Sequence, residues 1–328
     1  MQPPSLPPRK LLKTLGDDNY LFEIDNTSLE GFLACDRAAF FNLVLGRTGI
    51  KGAAITYGKA IHRALELHYK DQADLPTQLQ AGNEILSTLP YNPSEWRGPE
   101  SFQKAIEGYH KKYPSEPFSL IQLDSTPAVE QAFTYHLGEI KVDKTLVFSA
   151  EQIVADCNDP KPLYINTLQI CWTGVIDLLV QQQNHIWVID HKTSSVVGPT
   201  YFQGFELSQQ FTGYVWAASK ILGQRVSGAL LNVIAGRKPT KTGTSLEFFR
   251  QYFPYADWQL AEWENDIMTL VADFVHRLTT NNFPKKTLWC INKFGVCPYH
   301  DVCKLSPDLR PTLLNSNQFE TNVWNPLT

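Results

Sequence analysis

Residues 168–180 read LQICWTGVIDLLV, and residues 186–193 read IWVIDHKT. Both are dense in β-branched, aliphatic and aromatic residues, the composition of buried strands. The five residues between them, QQQNH, suit a hairpin loop. Each run carries one aspartate, Asp177 and Asp190, inside or at the end of its apolar stretch. A carboxylate there is costly unless something compensates for its lost water, and a divalent cation would do so. Residues i and i+2 of a strand point to one face, so Asp190 and Lys192 project together while His191 faces the other way. The hairpin brings Asp177 onto the neighbouring strand. Two carboxylates and a lysine thus meet at one end of a sheet, a hard-oxygen set suited to Mg²⁺ or Mn²⁺. Taken alone, Asp190 and Lys192 read equally well as an exposed same-face ion pair worth little.

The β pattern extends upstream to about residue 128, through VEQAFTYHLG and KTLVFSAEQIV, so the β region covers about 128–192. Helical spacing appears before it. Thr27 and Glu30 form a candidate capping box, followed by an apolar set from Leu29 to Leu45 with Gly46 as the stop. A second helix is expected over 55–69, and helices interrupted at Pro90 and Pro93 over 75–112. After the β region come a helix over 206–222 ending at Gly223, a strand over 226–234 and an amphipathic helix over 256–280. This order predicts an α/β fold, a mixed sheet with helices packed on it.

Composition narrows the class. The chain has 328 residues, 43% hydrophobic, 12% aromatic and 19% charged, which excludes bulk disorder and allows one large domain or two modest ones. No run approaches the ~18 apolar residues of a membrane span. The Pro-rich MQPPSLPPRK lacks an apolar signal core and reads as a flexible tail, so a cytoplasmic location and reduced cysteines are expected. The net charge of −4 excludes a protein coated in positive charge but leaves room for a local basic groove on nucleic acid.

Further residues fall into the same pattern. Gln210 and Tyr214 are spaced i, i+4 and share a helical face. His62 sits one turn before Glu66, where its imidazole could be a ligand, although a lone helical histidine is usually structural. Glu130 opens a strand and could add a carboxylate, surface exposure being the alternative. Lys104, His110, Lys111 and Lys112 form one small basic group, and Arg237, Lys238 and Lys241 another. Trp96, Tyr109 and Tyr113 are candidate stacking platforms for bases.

The ordered series His62, Glu130, Gly174-Val175-Ile176-Asp177, Asp190-His191-Lys192-Thr193 and Gln210-x-x-x-Tyr214 resembles the RecB-type nucleases of the PD-(D/E)XK superfamily. The resemblance implies a restriction-endonuclease-like mixed sheet flanked by helices. Asp177 and Asp190, with His62 and Glu130, would bind Mg²⁺ or Mn²⁺. Lys192 would assist the attacking water, and Gln210 and Tyr214 would contact DNA or orient the lysine. The implied activity is hydrolysis of DNA phosphodiester bonds leaving 5′-phosphates, with exonuclease action on single-stranded or frayed ends in recombination, repair or replication. A helicase, recombinase or single-strand-binding protein would be the partner, with no membrane; the oligomeric state stays open.

Cys35 precedes this core, while Cys290, Cys297 and Cys303 follow it. That layout resembles the iron–sulfur nucleases of the AddB type, in which a 4Fe–4S cluster staples the ends of the domain, and four thiolates match its ligand count. The departure is spacing, since six residues separate Cys290 from Cys297 where such relatives commonly show two. Zinc and plain buried thiols are the alternatives. Cys157 and Cys171 are read as core residues. The resulting division is a tail over 1–27, a nuclease domain over 28–304 and a tail over 305–328. Within the domain, 28–125 is the helical part, 126–282 the core and 283–304 the cluster-binding segment. A non-catalytic DNA- or helicase-binding module is the first alternative, and a redox or radical enzyme the second.

Overall fold

The computed structural model describes residues 10–50, 52–89, 95–236, 246–292 and 295–321. The second basic group, Arg237, Lys238 and Lys241, lies outside them. In chain order the main elements are strands β1 (Lys13–Gly16) and β2 (Asn19–Ile24), then helices α1 (Asn26–Ala34), α2 (Ala53–Asp71), α3 (Leu75–Leu86) and α4 (Pro99–Lys112). Next come the long strands β3 (Val129–Ser149) and β4 (Pro162–Gln182), then β5 (His185–Ser194). The chain continues through α5 (Pro199–Glu206), α6 (Gln209–Leu222), β6 (Gly228–Gly236), β7 (Leu246–Pro254) and α7 (Asp257–Thr280). It forms two compact units. One comprises residues 51–133 and 175–263, the other 1–50, 134–174 and 264–328.

The first unit shows the fold class expected from the sequence, a mixed sheet with helices packed on it. The C-terminal part of β4 turns back into β5 with Leu178 opposite Ile189 and Gln182 opposite His185, so the hairpin turn is Gln183-Asn184, inside the expected QQQNH loop. β5 runs parallel to β6, Asp190 pairing with Leu231 and His191 with Asn232, and β6 runs antiparallel to β7. The sheet is therefore mixed. The helices α2, α3 and α4 pack on it through Ile61, Leu65, Leu86, Phe102 and Ile106, in one core with Leu178, Val180, Ile189, Leu230 and Ile234. Gly108 permits the close approach of α4, because a Cβ there would sit 2.8 Å from the Phe248 ring on β7. The parallel step from β5 to β6 needs a crossover, which α5 and α6 supply. α6 starts at Ser208, whose hydroxyl accepts from Phe211 N–H, and ends in the left-handed region at Gly223, the stop its sequence predicts.

β7 is absent from the sequence expectation, which left 237–256 without assignment. Its residues LEFFRQYFP alternate weakly because they sit half-buried on an edge.

In the second unit, β1 and β2 form a hairpin, and β2 lies parallel to the first half of β4, Asn19 opposite Thr167 and Ile24 opposite Trp172. Residues 13–24 are thus sheet rather than the flexible tail expected for 1–27. Tyr20, Phe22 and Ile24 are buried at period two, a signal too short to stand out beside Gly16-Asp17-Asp18. The expected tail over 305–328 also carries structure. Arg310–Leu314 is a helical turn, and Phe319–Thr321 pairs with Arg47–Gly49, burying Leu314 and Phe319 beside Tyr299. The cap of α1 is Asp25, not Thr27. Its carboxylate accepts from Ser28 N–H at 2.8 Å. The helix breaks at Cys35, which is extended, before a short helix Asp36–Ala39 and a π turn Phe40–Val44. Cys171 is buried as expected, whereas Cys157 is only half-buried.

Candidate active site

Asp177 lies in the C-terminal third of β4 and is buried. Because Leu178 and Ile189 oppose each other across the ladder, their neighbours Asp177 and Asp190 share the other face. Asp177 Oδ2 accepts the backbone N–H of His191 at 2.6 Å. His62, on α2, donates its Nε2–H to the carbonyl of His191 at 2.8 Å. That bond fixes the tautomer. It leaves Nδ1 as a lone-pair donor 3.6 Å from Asp177 Oδ2. A metal-binding histidine is oriented in this way, by giving its other N–H to a backbone carbonyl.

Glu130 completes the group. One ligand atom from each of His62, Glu130 and Asp177 lies within 4.8 Å of the others. Glu130 sits one residue into β3 with φ of +48°, a left-handed conformation that costs a glutamate roughly 1–3 kcal/mol. Burial, with help from Asp177 and then Glu66, pushes its carboxyl up to about 8. One nitrogen and two carboxylates with an unfavourable shared charge fit a hard divalent cation such as Mg²⁺ or Mn²⁺.

Asp190 stands apart from that triplet. It is 2% exposed, and its Oδ1 accepts from Lys192 Nζ at 3.0 Å and from Gln210 Nε2 at 3.1 Å. Lys192 Nζ also stands 2.8 Å from Oδ2, although among the described residues no donor is aligned on that oxygen. Burial raises the Asp190 carboxyl, and Lys192 opposes it. Burial pulls the Lys192 ammonium down, but Asp190 and Asp177 outweigh it and leave its pKa raised. The lysine therefore stays charged beside two carboxylates. Gln210 contacts Asp190 rather than Lys192, and Tyr214 packs edge-on against Phe133 at 5.9 Å.

Other expectations end differently. Tyr109 is fully buried, Tyr113 carries the Arg250 guanidinium on its face at 3.6 Å, and Trp96 rests against Tyr57 with Arg97 over its ring. All three rings are engaged within the protein instead of standing open as platforms. Of the first basic group, Lys104 pairs with Glu100, and His110 bonds Gln78.

Two residues escaped sequence reading. His191 supplies the peptide that holds both Asp177 and His62, and only its place between Asp190 and Lys192 hinted at this. Burial pushes its imidazole down to about 3, so it is neutral. Burial raises the phenol of Tyr201, on α5, against the opposing effects of the Lys192 charge and a hydrogen bond with the Ser194 side chain.

A pH signature follows. Native Glu130 keeps its proton to about pH 8, whereas an unfolded glutamate loses it near 4.5. Between those values the unfolded state binds fewer protons, so the metal-free protein loses stability as pH rises. Its thermal midpoint is expected to fall from pH 5 to pH 8, and Glu130→Gln to flatten that fall. Equal slopes for the two proteins would refute the assignment.

Residues 26–304 match the family model of the PD-(D/E)XK nuclease superfamily. No curated protein matches the chain. Among solved structures, a protein of Eubacterium rectale described as an exonuclease aligns at 9% identity and a TM-score of 0.45, over 90% of this chain and 93% of its own. An alkaline exonuclease from Laribacter hongkongensis aligns at 11% identity and a TM-score of 0.25, over 66% of this chain and 88% of its own. At such scores neither likeness carries an argument about activity. Among the described residues, no helix is long and apolar enough to cross a membrane.

Proposed function

The chain belongs to the PD-(D/E)XK nuclease superfamily, and we propose that it is a metal-dependent deoxyribonuclease acting as an exonuclease on single-stranded or frayed DNA ends. The observation that carries this reading is the convergence of His62, Glu130 and Asp177 beside the Asp190–Lys192 pair. His62 Nδ1 and the carboxylates of Glu130 and Asp177 would hold Mg²⁺ or Mn²⁺. A bound ion of this kind polarises the phosphoryl oxygens and makes a coordinated water more acidic. Lys192 keeps a positive charge beside the triplet, where it would help orient an attacking water and offset the charge that develops on phosphorus. Asp190 keeps that ammonium in place, with Gln210 holding the carboxylate from the helix side. DNA is the substrate, and a helicase, recombinase or single-strand-binding protein is the partner class.

The cysteines support a 4Fe–4S cluster held by Cys35, Cys290, Cys297 and Cys303. Burial raises the Cys297 thiol, and Cys35 and Cys290 add to the rise. Burial likewise raises Cys303, with Cys35 and Cys297 contributing. The thiols therefore share one neighbourhood. Among the described residues, no three of them close to within 4.8 Å of one another. The long Cys290–Cys297 interval also finds its reason. Ile291–Asn292 pairs with Gly295–Val296 as a hairpin, and Cys297 N–H donates to the Cys290 carbonyl at 2.9 Å. That pairing brings the second cysteine back beside the first.

The test is digestion of DNA labelled at either the 5′ or the 3′ end. Release of mononucleotides or short fragments progressively from one end, carrying 5′-phosphates, is the expected result. Internal cuts on closed circular single strands would replace the exonuclease reading with an endonuclease one. DNA binding without any cutting would favour the non-catalytic module.

A further inference from the structure

A row of polar side chains crosses three strands behind the site. His191 on β5 pairs in register with Asn232 on β6, and Asn232 with Arg250 on β7, so the three side chains share one face. Their hydrogen bonds admit one assignment. Arg250 Nε donates to Asn232 Oδ1 at 3.2 Å, which fixes the amide. Asn232 Nδ2 then donates to His191 Nδ1 at 2.7 Å and to the Tyr109 oxygen at 3.1 Å. Tyr109 also accepts from Arg250 Nη2 and passes its own proton to Tyr69 at 2.7 Å, and Tyr69 donates to Glu116 at 2.6 Å. Arg250 closes the ring with two bonds to Glu116, at 2.5 and 2.8 Å. His191 Nδ1 must therefore be an acceptor. The imidazole carries its proton on Nε2, which is buried with no partner among the described residues. The Tyr69 ring lies nearly parallel to it at 5.9 Å.

Such a network is expensive. Apolar replacements of buried polar sets are often neutral or stabilising, and an orphaned donor adds its own cost. What it secures is the position of one residue. Asp177 hangs on the N–H of His191 and His62 on its carbonyl, so a shift of that peptide moves both ligands together. We infer that Asn232 is a positioning residue for metal binding. By locking the His191 imidazole into the Tyr109–Tyr69–Glu116–Arg250 network, it sets the peptide that aims His62 and Asp177. This rests on the nuclease reading above.

The test compares the full-length wild type with Asn232→Leu, which keeps the side-chain shape and removes the hydrogen bonds. His191→Phe, which keeps a ring against Tyr69, is the second variant should the first fail to fold. Mn²⁺ affinity is measured by calorimetry, and kcat and KM on single-stranded DNA are measured separately. The Mn²⁺ dissociation constant is expected to rise about tenfold or more, the usual effect of removing a group that orients a ligand. kcat is expected to fall while KM for DNA stays within about twofold, with an unchanged circular dichroism spectrum. Wild-type Mn²⁺ affinity and kcat in a folded variant would overturn the inference and leave the nuclease reading intact. A wild-type chain that neither binds Mn²⁺ nor cuts DNA would overturn both.

Discussion

Lys192→Ala is expected to lower DNA cleavage by at least about a hundredfold while DNA affinity changes little, in line with the loss of a positioned acid–base or electrostatic group. The ammonium stands 2.8–3.0 Å from both oxygens of Asp190, and Asp190 and Asp177 keep it charged. Alanine removes that charge from the face where water would attack. It also strands Asp190, 2% exposed, with Gln210 as its remaining hydrogen-bond donor. A buried carboxylate in that state takes up a proton rather than staying charged. The variant is therefore expected to remain folded and to bind single-stranded DNA with near wild-type affinity. Single-turnover cleavage and a binding titration read the two effects separately. Wild-type turnover would remove Lys192 from the chemistry, and equal losses of binding and turnover would make it a DNA contact.

Cys297→Ser is expected to abolish the brown colour and iron content of anaerobically purified protein and to lower its solubility. Cys297 sits where the C-terminal segment folds back, its N–H bonded to the Cys290 carbonyl. Around it Phe41, Tyr299, Val302, Leu314 and Phe319 form a small buried cluster, too few side chains to hold such a segment alone. A group tying Cys35 to the three later cysteines would supply the missing stability, because metal binding free energy is also folding free energy. The comparison needs iron and sulfide analysis with the visible spectrum of both proteins. An iron-free wild type, or a variant with the same iron content and spectrum, would contradict the cluster.

The sheet was readable because its strands announce themselves in composition. LQICWTGVIDLLV and IWVIDHKT have β-rich runs, a short turn and one aspartate each, and the structure pairs them in the expected hairpin. One helix, α6, declared its end through Gly223. What stayed hidden depends on partners distant in the chain. β2 is one short alternating run, and only its pairing with β4 makes it a strand. β7 is a half-buried edge with no clean period. In the site, residue types were legible and geometry was not. The Glu130 conformation, the tautomer of His62 and the anchoring of Asp177 all involve backbone groups, which side-chain patterns do not report. The three tyrosine and tryptophan platforms failed for a related reason, since an aromatic that looks available in sequence can be claimed by a buried arginine.

The most direct test of the central claim is cleavage of single-stranded DNA by the wild-type protein, first stripped with EDTA and then titrated with Mg²⁺ or Mn²⁺, beside Asp177→Asn. Asp177 is the residue on which the triplet depends, 3.6 Å from His62 Nδ1 and fixed by His191 N–H. The account predicts no cutting in EDTA, full recovery on adding metal, and no recovery in Asp177→Asn at any metal concentration. Cutting that persists in EDTA, or that survives unchanged in Asp177→Asn, would contradict it.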